Sequence, residues 1–147
     1  MNSSIRAVLL AEDSPADAEM ALDALRDANL VNPIVHVEDG VEALDYLLRR
    51  GRFADRPEGD PAVLLLDIKM PRMDGLEVLQ AIRNDPNLRR LPVVILSSSR
   101  EESDLARSWD MGVNAYVVKP VDIDQFFQAV KTLGTFWAVI NETPVRD

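Results

Sequence analysis

Apolar residues along the chain follow two alternating patterns. Runs at 5–11, 63–66, 93–96 and Ala115–Val118, with Arg6 the one charge among them, are rich in Val, Leu and Ile and show no polar alternation. Such runs are expected of strands covered on both faces. A weaker fifth run, Ile34–Val37, follows Asn32-Pro33. Between the runs the apolar spacing changes to three and four residues. Ser14-Pro15 offers an N-cap followed by proline at the first helical position, with acidic Asp17 and Glu19 in the first turn. Met20, Ala21, Ala24, Leu25 and Ala28 then mark one helical face, and Val41, Leu44, Leu47 and Leu48 a second. Leu76, Leu79 and Ile82 mark a third helix that stops before Pro86, and Leu105, Ala106 and Trp109 a fourth that Gly112 ends. Phe126, Val130, Leu133, Trp137 and Ile140 predict a fifth. The order is strand then helix, five times. It predicts an α/β fold with a parallel sheet, right-handed crossovers and helices on both faces. A polar, Arg-rich loop at 49–61 precedes the third strand, and 141–147 reads as a tail.

Composition narrows the function. At about 100–200 residues per domain, 147 residues predict one domain, with a core over 5–140. Lys and Arg total 16 against 25 Asp and Glu, a net charge of −9, which argues against nucleic-acid binding and against a basic membrane-surface module. The absence of cysteine excludes thiolate zinc sites and cysteine nucleophiles and suits a reducing compartment. A lone histidine, His36, argues against His-rich metal sites and a Ser-His-Asp triad. Residues 7–11 run straight into Glu12-Asp13, too short for a signal peptide, and no segment reaches the ~20 apolar residues of a membrane span. A cytoplasmic protein without membrane or nucleic-acid partners is expected.

Ligands of open parallel sheets bind beyond the carboxyl ends of the strands. There the chain places Glu12-Asp13 after strand one, Asp67 after strand three, Ser97-Ser98-Ser99 after strand four and Lys119-Pro120 after strand five. Crowded carboxylates repel one another and either protonate or bind a cation. All-oxygen donors select a hard ion, Mg²⁺ or a relative such as Mn²⁺. A carboxylate can attack phosphorus to give an acyl phosphate, while a lysine and a hydroxyl neutralise the phosphoryl oxygens. The set reads as phosphoryl transfer onto an aspartate.

Glu12-Asp13, the segment Leu66-Asp67-Ile68-Lys69-Met70-Pro71-Arg72-Met73-Asp74-Gly75, Ser97 and Lys119-Pro120 together resemble the receiver domain of two-component response regulators. The resemblance implies a flavodoxin-like fold with strand order 2-1-3-4-5 and five helices. It implies Asp67 as phosphoacceptor, Asp13 as direct metal ligand, Glu12 as its acidic neighbour and a metal contact from the Lys69 backbone carbonyl. Ser97 resembles the switch hydroxyl, Tyr116 the aromatic switch residue and Lys119 the lysine that pairs with the phosphoryl group, with a cis bond to Pro120. The implied partner is a sensor histidine kinase. The 49–61 loop, the extended last helix and the Ser14-Pro15-Ala16-Asp17 start resemble small receivers that partner phytochrome-type kinases. With only 141–147 after the last helix, a stand-alone receiver that signals through altered protein contacts is expected. Aromatic residues on the fifth helix suggest a homodimer through helix four, strand five and helix five.

Two other functions share parts of this pattern. A haloacid-dehalogenase-type phosphatase wants a second acid two residues after its nucleophile, where Lys69 stands. A flavodoxin-like ligand binder wants a Gly- and hydroxyl-rich phosphate loop after strand one, where Glu12-Asp13 stand.

Overall fold

A computed structural model of the protein describes residues 6–27, 32–108, 111–113, 115–122, 124, 125 and 128. The elements are β1 (Val8–Ala11), α1 (Pro15–Asp27), β2 (Ile34–Val37), α2 (Gly40–Leu48), a 3₁₀ turn (Gly51–Phe53), β3 (Val63–Asp67), α3 (Gly75–Asn84), β4 (Val93–Ser97), α4 (Arg100–Ser108) and β5 (Ala115–Val118). They form a five-stranded sheet in the order β2-β1-β3-β4-β5, parallel throughout. The fold class and strand order are those expected. The expected fifth helix at 126–140, and with it that part of the dimer surface, lies almost wholly outside the described residues.

The unalternating strands are explained by cores on both sides of the sheet. Leu9, Ala11, Leu64, Leu66, Val93 and Ile95 point to one core, with Leu44 and Leu47 of α2 and Leu76, Leu79 and Ile82 of α3. Val8, Leu10, Val63, Leu65, Val94 and Leu96 alternate with them and point to the other, with Ala21, Ala24 and Leu25 of α1. No position in the middle strands is left for a polar side chain, so polar residues appear only where the strands end. The ladder begins at Val8, paired with Ile34 and Val63, so β1 is shorter than the apolar run at 5–11. Among the described residues no helix is long and apolar enough to cross a membrane.

Local chemistry starts the helices where the sequence places acids. Asp39 caps α2 by accepting from Glu42 N at 2.8 Å. Asp74 and Glu77 form a reciprocal capping box on α3, with both bonds at 2.9 Å. Ser99 Oγ accepts from Glu102 N at 3.2 Å and so caps the start of α4.

Two arginines are built into the structure. Arg56, in the 49–61 loop, lies 4.2 Å over the Tyr46 ring. It donates to the carbonyls of Tyr46 at 2.6 Å, Pro57 at 2.7 Å and Gly59 at 3.0 Å. The loop is therefore folded back on α2 rather than merely solvated. Arg83 of α3 donates to Met111 O at 2.8 Å, Arg89 O at 3.0 Å, Leu91 O at 2.9 Å and Gly112 O at 2.9 Å. One guanidinium thus ties α3 to the segments leading into β4 and β5. Carbonyls bonded to a charged donor lose more than neutral pairs when it is removed. Arg83→Ala is expected to lower the stability of the fold by about 2–3 kcal/mol, read from urea unfolding. An unchanged midpoint would show that water replaces the clamp without loss.

Candidate functional site

Because all five strands run the same way, their last residues share one edge of the sheet. β1 leads into Glu12-Asp13, β3 ends on Asp67, β4 ends on Ser97 and β5 leads into Lys119, whose bond to Pro120 is cis. The registers carry the residues level with one another: Asp67 pairs with Leu96, and Ser97 with Val118. Lys119 N donates to Ser97 O at 2.7 Å, which fixes the start of the loop that carries the lysine.

The Lys119 ammonium is the centre of the site. Its Nζ lies 3.0 Å from Glu12 Oε1, 3.0 Å from Asp17 Oδ2 and 3.1 Å from Asp67 Oδ1. The Lys119 side chain is 11% exposed, those of Glu12 and Asp67 1% and 4%. Burial alone would make the ammonium easier to deprotonate. The hydrogen bonds from Glu12 and Asp17 and the charge of Asp67 outweigh it and hold the lysine above its ordinary range. Asp67 is also shifted upward, but there burial adds to the shift instead of opposing it. Burial first, then the charge of Glu12, pushes its carboxyl up to about 7, against the pull of Lys119.

Glu12, Asp13 and Asp67 each offer a carboxylate oxygen, and these oxygens lie within 4.8 Å of one another. Glu12 and Asp67 are buried and Asp13 is exposed. An all-oxygen donor set open to solvent on one side suits a hard divalent cation. Burial is the first cause of the raised Asp67 and the charge of Glu12 the second, and a cation would relieve the second. Glu12 also accepts from Ser14 N through Oε2 at 3.1 Å, and its carbonyl accepts from His36 Nε2 at 2.8 Å. His36, on β2, therefore holds the backbone of the acidic pair.

The other expected residues stand on β4, on β5 and just after β3. Ser97 is fully enclosed at the end of β4. Tyr116 on β5 is half-buried against the core that contains α2 and α3. The Lys69 side chain is 80% exposed and pairs with Glu102 Oε2 at 3.3 Å. Met70 is buried and Met73 packs against the same core, as ordinary packing residues. Gly75 lets the loop after Asp67 fold back on it: a Cβ there would lie 2.2 Å from Asp67 O.

Two contacts were not foreseen. Asp17 reads in the sequence as a first-turn helix acid, yet it reaches the central lysine. Arg72 adopts a left-handed backbone, φ 66°. It donates from Nε to Asp39 Oδ2 at 2.9 Å and from Nη2 to Oδ1 at 3.1 Å. Burial raises the Asp39 carboxyl, but the Arg72 and backbone hydrogen bonds outweigh it and hold the group below its ordinary range. The loop after Asp67 is thereby fastened to the start of α2.

The Asp67 shift carries a consequence for stability. The carboxyl rises from 3.8 in its ordinary state to about 7 in the folded protein, so folding favours the proton between those values. The destabilisation is present in full above about pH 7 and fades as the pH falls toward 4. Cation-free Asp67→Asn is expected to exceed the unsubstituted protein in stability at about pH 8 by at least about 1 kcal/mol, with the gap closing near pH 4.5. Urea midpoints at the two pH values measure it, and a gap independent of pH would contradict the assignment.

Known proteins match this arrangement. A family model described as the response regulator receiver domain matches residues 8–131. Response regulator Rcp1 of Synechocystis sp. is 33% identical over 132 residues, covering 90% of this chain and 88% of Rcp1. The structure of the bacteriophytochrome response regulator AtBRR is 55% identical, with a TM-score of 0.89 over 94% of this chain and 99% of AtBRR. The Mn²⁺-bound form of Rcp1 superposes with a TM-score of 0.72 at 32% identity, over 97% of this chain and 99% of that one. Nothing in these relationships supports a dehalogenase-type phosphatase or a flavodoxin-like ligand binder. The fold is thus shared with proteins of like sequence along nearly the whole chain, and the chain belongs to the response regulator receiver family.

Proposed function

We propose that this receiver takes a phosphoryl group on Asp67 from a phytochrome-type sensor histidine kinase, with Mg²⁺ or Mn²⁺ at Asp13, Asp67, Glu12 and the Lys69 backbone carbonyl. The observation that carries the reading is the Asp67 carboxylate 3.1 Å from Lys119 Nζ and beside the Glu12 and Asp13 oxygens. The relatives support the choice of kinase class and metal, since they are named as bacteriophytochrome response regulators and as a Mn²⁺-bound form.

In the transfer, an Asp67 carboxylate oxygen bonds to phosphorus as the phosphorus–nitrogen bond of the donor histidine breaks, and the electron pair leaves with the imidazole nitrogen. When bound, the divalent cation supplies neutralisation of the crowded carboxylates and of the phosphoryl oxygens. Lys119 gives up its contact with Asp67 Oδ1 and donates to a phosphoryl oxygen, where its fixed charge stabilises the transition state. The Ser97 hydroxyl donates to another phosphoryl oxygen from the end of β4. Tyr116 repacks as Ser97 turns inward, and the surface of α4 and β5 changes its preferred contacts. The result is a biased two-state element, driven by a gain of about −1.5 to −2 charge. The same residues support slow self-dephosphorylation.

Output through altered protein contacts includes a homodimer formed by α4, β5 and the segment after β5. Apolar Leu105 on α4 and Val118 on β5 stay exposed on that side, at 52% and 37%. The reading places the protein in the cytoplasm.

Incubation with Mg²⁺ and acetyl phosphate is expected to add one phosphoryl mass to the intact chain and none to Asp67→Asn. Labelling that survives in the variant would move the acceptor elsewhere. Added Mg²⁺ is expected to raise the thermal midpoint of the unsubstituted protein, by an amount that grows with concentration, and to have little effect on Asp13→Asn.

A further inference from the structure

Asp17 is a charged member of the site that this chemistry leaves without a role. Its Oδ2 lies 3.0 Å from Lys119 Nζ, across 102 residues of sequence. Ser14 and Asp17 have the spacing of a capping box, in which the acid turns back to the N-cap N–H. Half of the box forms: Asp17 N donates to Ser14 Oγ at 3.3 Å. The other half does not, because Ser14 N donates to Glu12 Oε2 at 3.1 Å. Glu12 has taken over the cap, and the Asp17 carboxylate is turned to Lys119 instead. An ammonium has three N–H groups. Three carboxylates stand within 3.1 Å of this one.

We propose that Asp17 acts through Lys119 as a counter-charge that restrains phosphoryl transfer, holding one N–H and part of the ammonium's charge away from the incoming group. The inference rests on Asp67 as the acceptor. A phosphoryl oxygen arriving there must take an N–H that already has an acceptor. Glu12, at 1% exposed, is walled in, whereas Asp17, at 37%, stands at the solvent side of the lysine. Its charge adds to those of Glu12 and Asp13 and opposes the approach of an anionic donor. Removing that charge leaves Lys119 held by Glu12 and Asp67 and gives the phosphoryl group a less neutralised partner. A role confined to the helix N-terminus predicts the reverse, a variant no faster than the parent.

The test uses the full chain, acetyl phosphate and Mg²⁺ saturating for each protein, with initial rates read by intact mass. In the reaction an Asp67 oxygen bonds to phosphorus while the bond from phosphorus to the acetate oxygen breaks, and acetate leaves with the electron pair. D17N, which keeps an acceptor and loses the charge, is expected to be labelled about fivefold faster. The gain is expected to fall below about twofold in ~1 M salt. D17E, which keeps the charge, is expected to stay within about twofold of the parent. A D17N rate equal to or below the parent's overturns the proposal. Failure of the acceptor assignment looks different: the parent stays unlabelled, or D67N is labelled. A second readout is independent of turnover. The sequence has three lysines, Lys69, Lys119 and Lys131. ¹⁵N-lysine labelling of the cation-free protein therefore gives few ammonium signals, and K119R identifies the one that matters. D17N is expected to move the Lys119 signal and leave the Lys69 signal in place, and an unmoved Lys119 signal overturns the contact itself.

Discussion

One buried ammonium holds the acidic edge of this receiver together. Lys119 is reached by carboxylates from the end of β1, the first turn of α1 and the end of β3. Without it, Glu12 and Asp67 would face each other as two nearly enclosed negative charges, an arrangement that low-dielectric surroundings make costly. Even with it, burial and the charge of Glu12 outweigh the pull of the ammonium on Asp67, and Glu12, Asp13, Asp17 and Asp67 stand about one lysine. The site is left short of positive charge, and that deficit is what makes it receptive to a divalent cation.

The deficit has a structural origin. Cores on both faces of the sheet exclude polar side chains from the middle of every central strand. Polar chemistry is displaced to the strand ends, and parallel pairing gathers those ends along one edge. Fold and chemistry therefore share a single cause: the two-sided burial that makes the strands uniformly apolar also concentrates the acids.

That cause is also why so much of the site was legible in the sequence. Glu12-Asp13, Asp67, Ser97 and Lys119 are the first polar residues after apolar runs, so the runs themselves point to them. Strand order needed the family resemblance, because periodicity says nothing about which strands are neighbours. Asp17 was hidden because an acid in the first turn of a helix usually serves the helix dipole. Nothing local separates that use from a reach to Lys119. The Arg72–Asp39 pair spans 33 residues between two loops, where no period exists to read. Arg56 and Arg83 were hidden for the same reason: their partners are backbone carbonyls, which every residue carries.

The fastening of the acceptor loop gives the site unequal walls. On the α2 side, Arg72 grips the Asp39 carboxylate with two hydrogen bonds, and Gly40 permits a backbone approach that a Cβ, 2.1 Å from Met73 O, would block. On the α4 side, among the described residues, an ion pair joins a lysine side chain that is 80% exposed to Glu102 at 3.3 Å, a kind of contact worth little in water. A disturbance at Asp67 thus meets a stiff boundary in one direction and a compliant one in the other. The acidic edge is thus clamped more firmly toward α2 than toward α4.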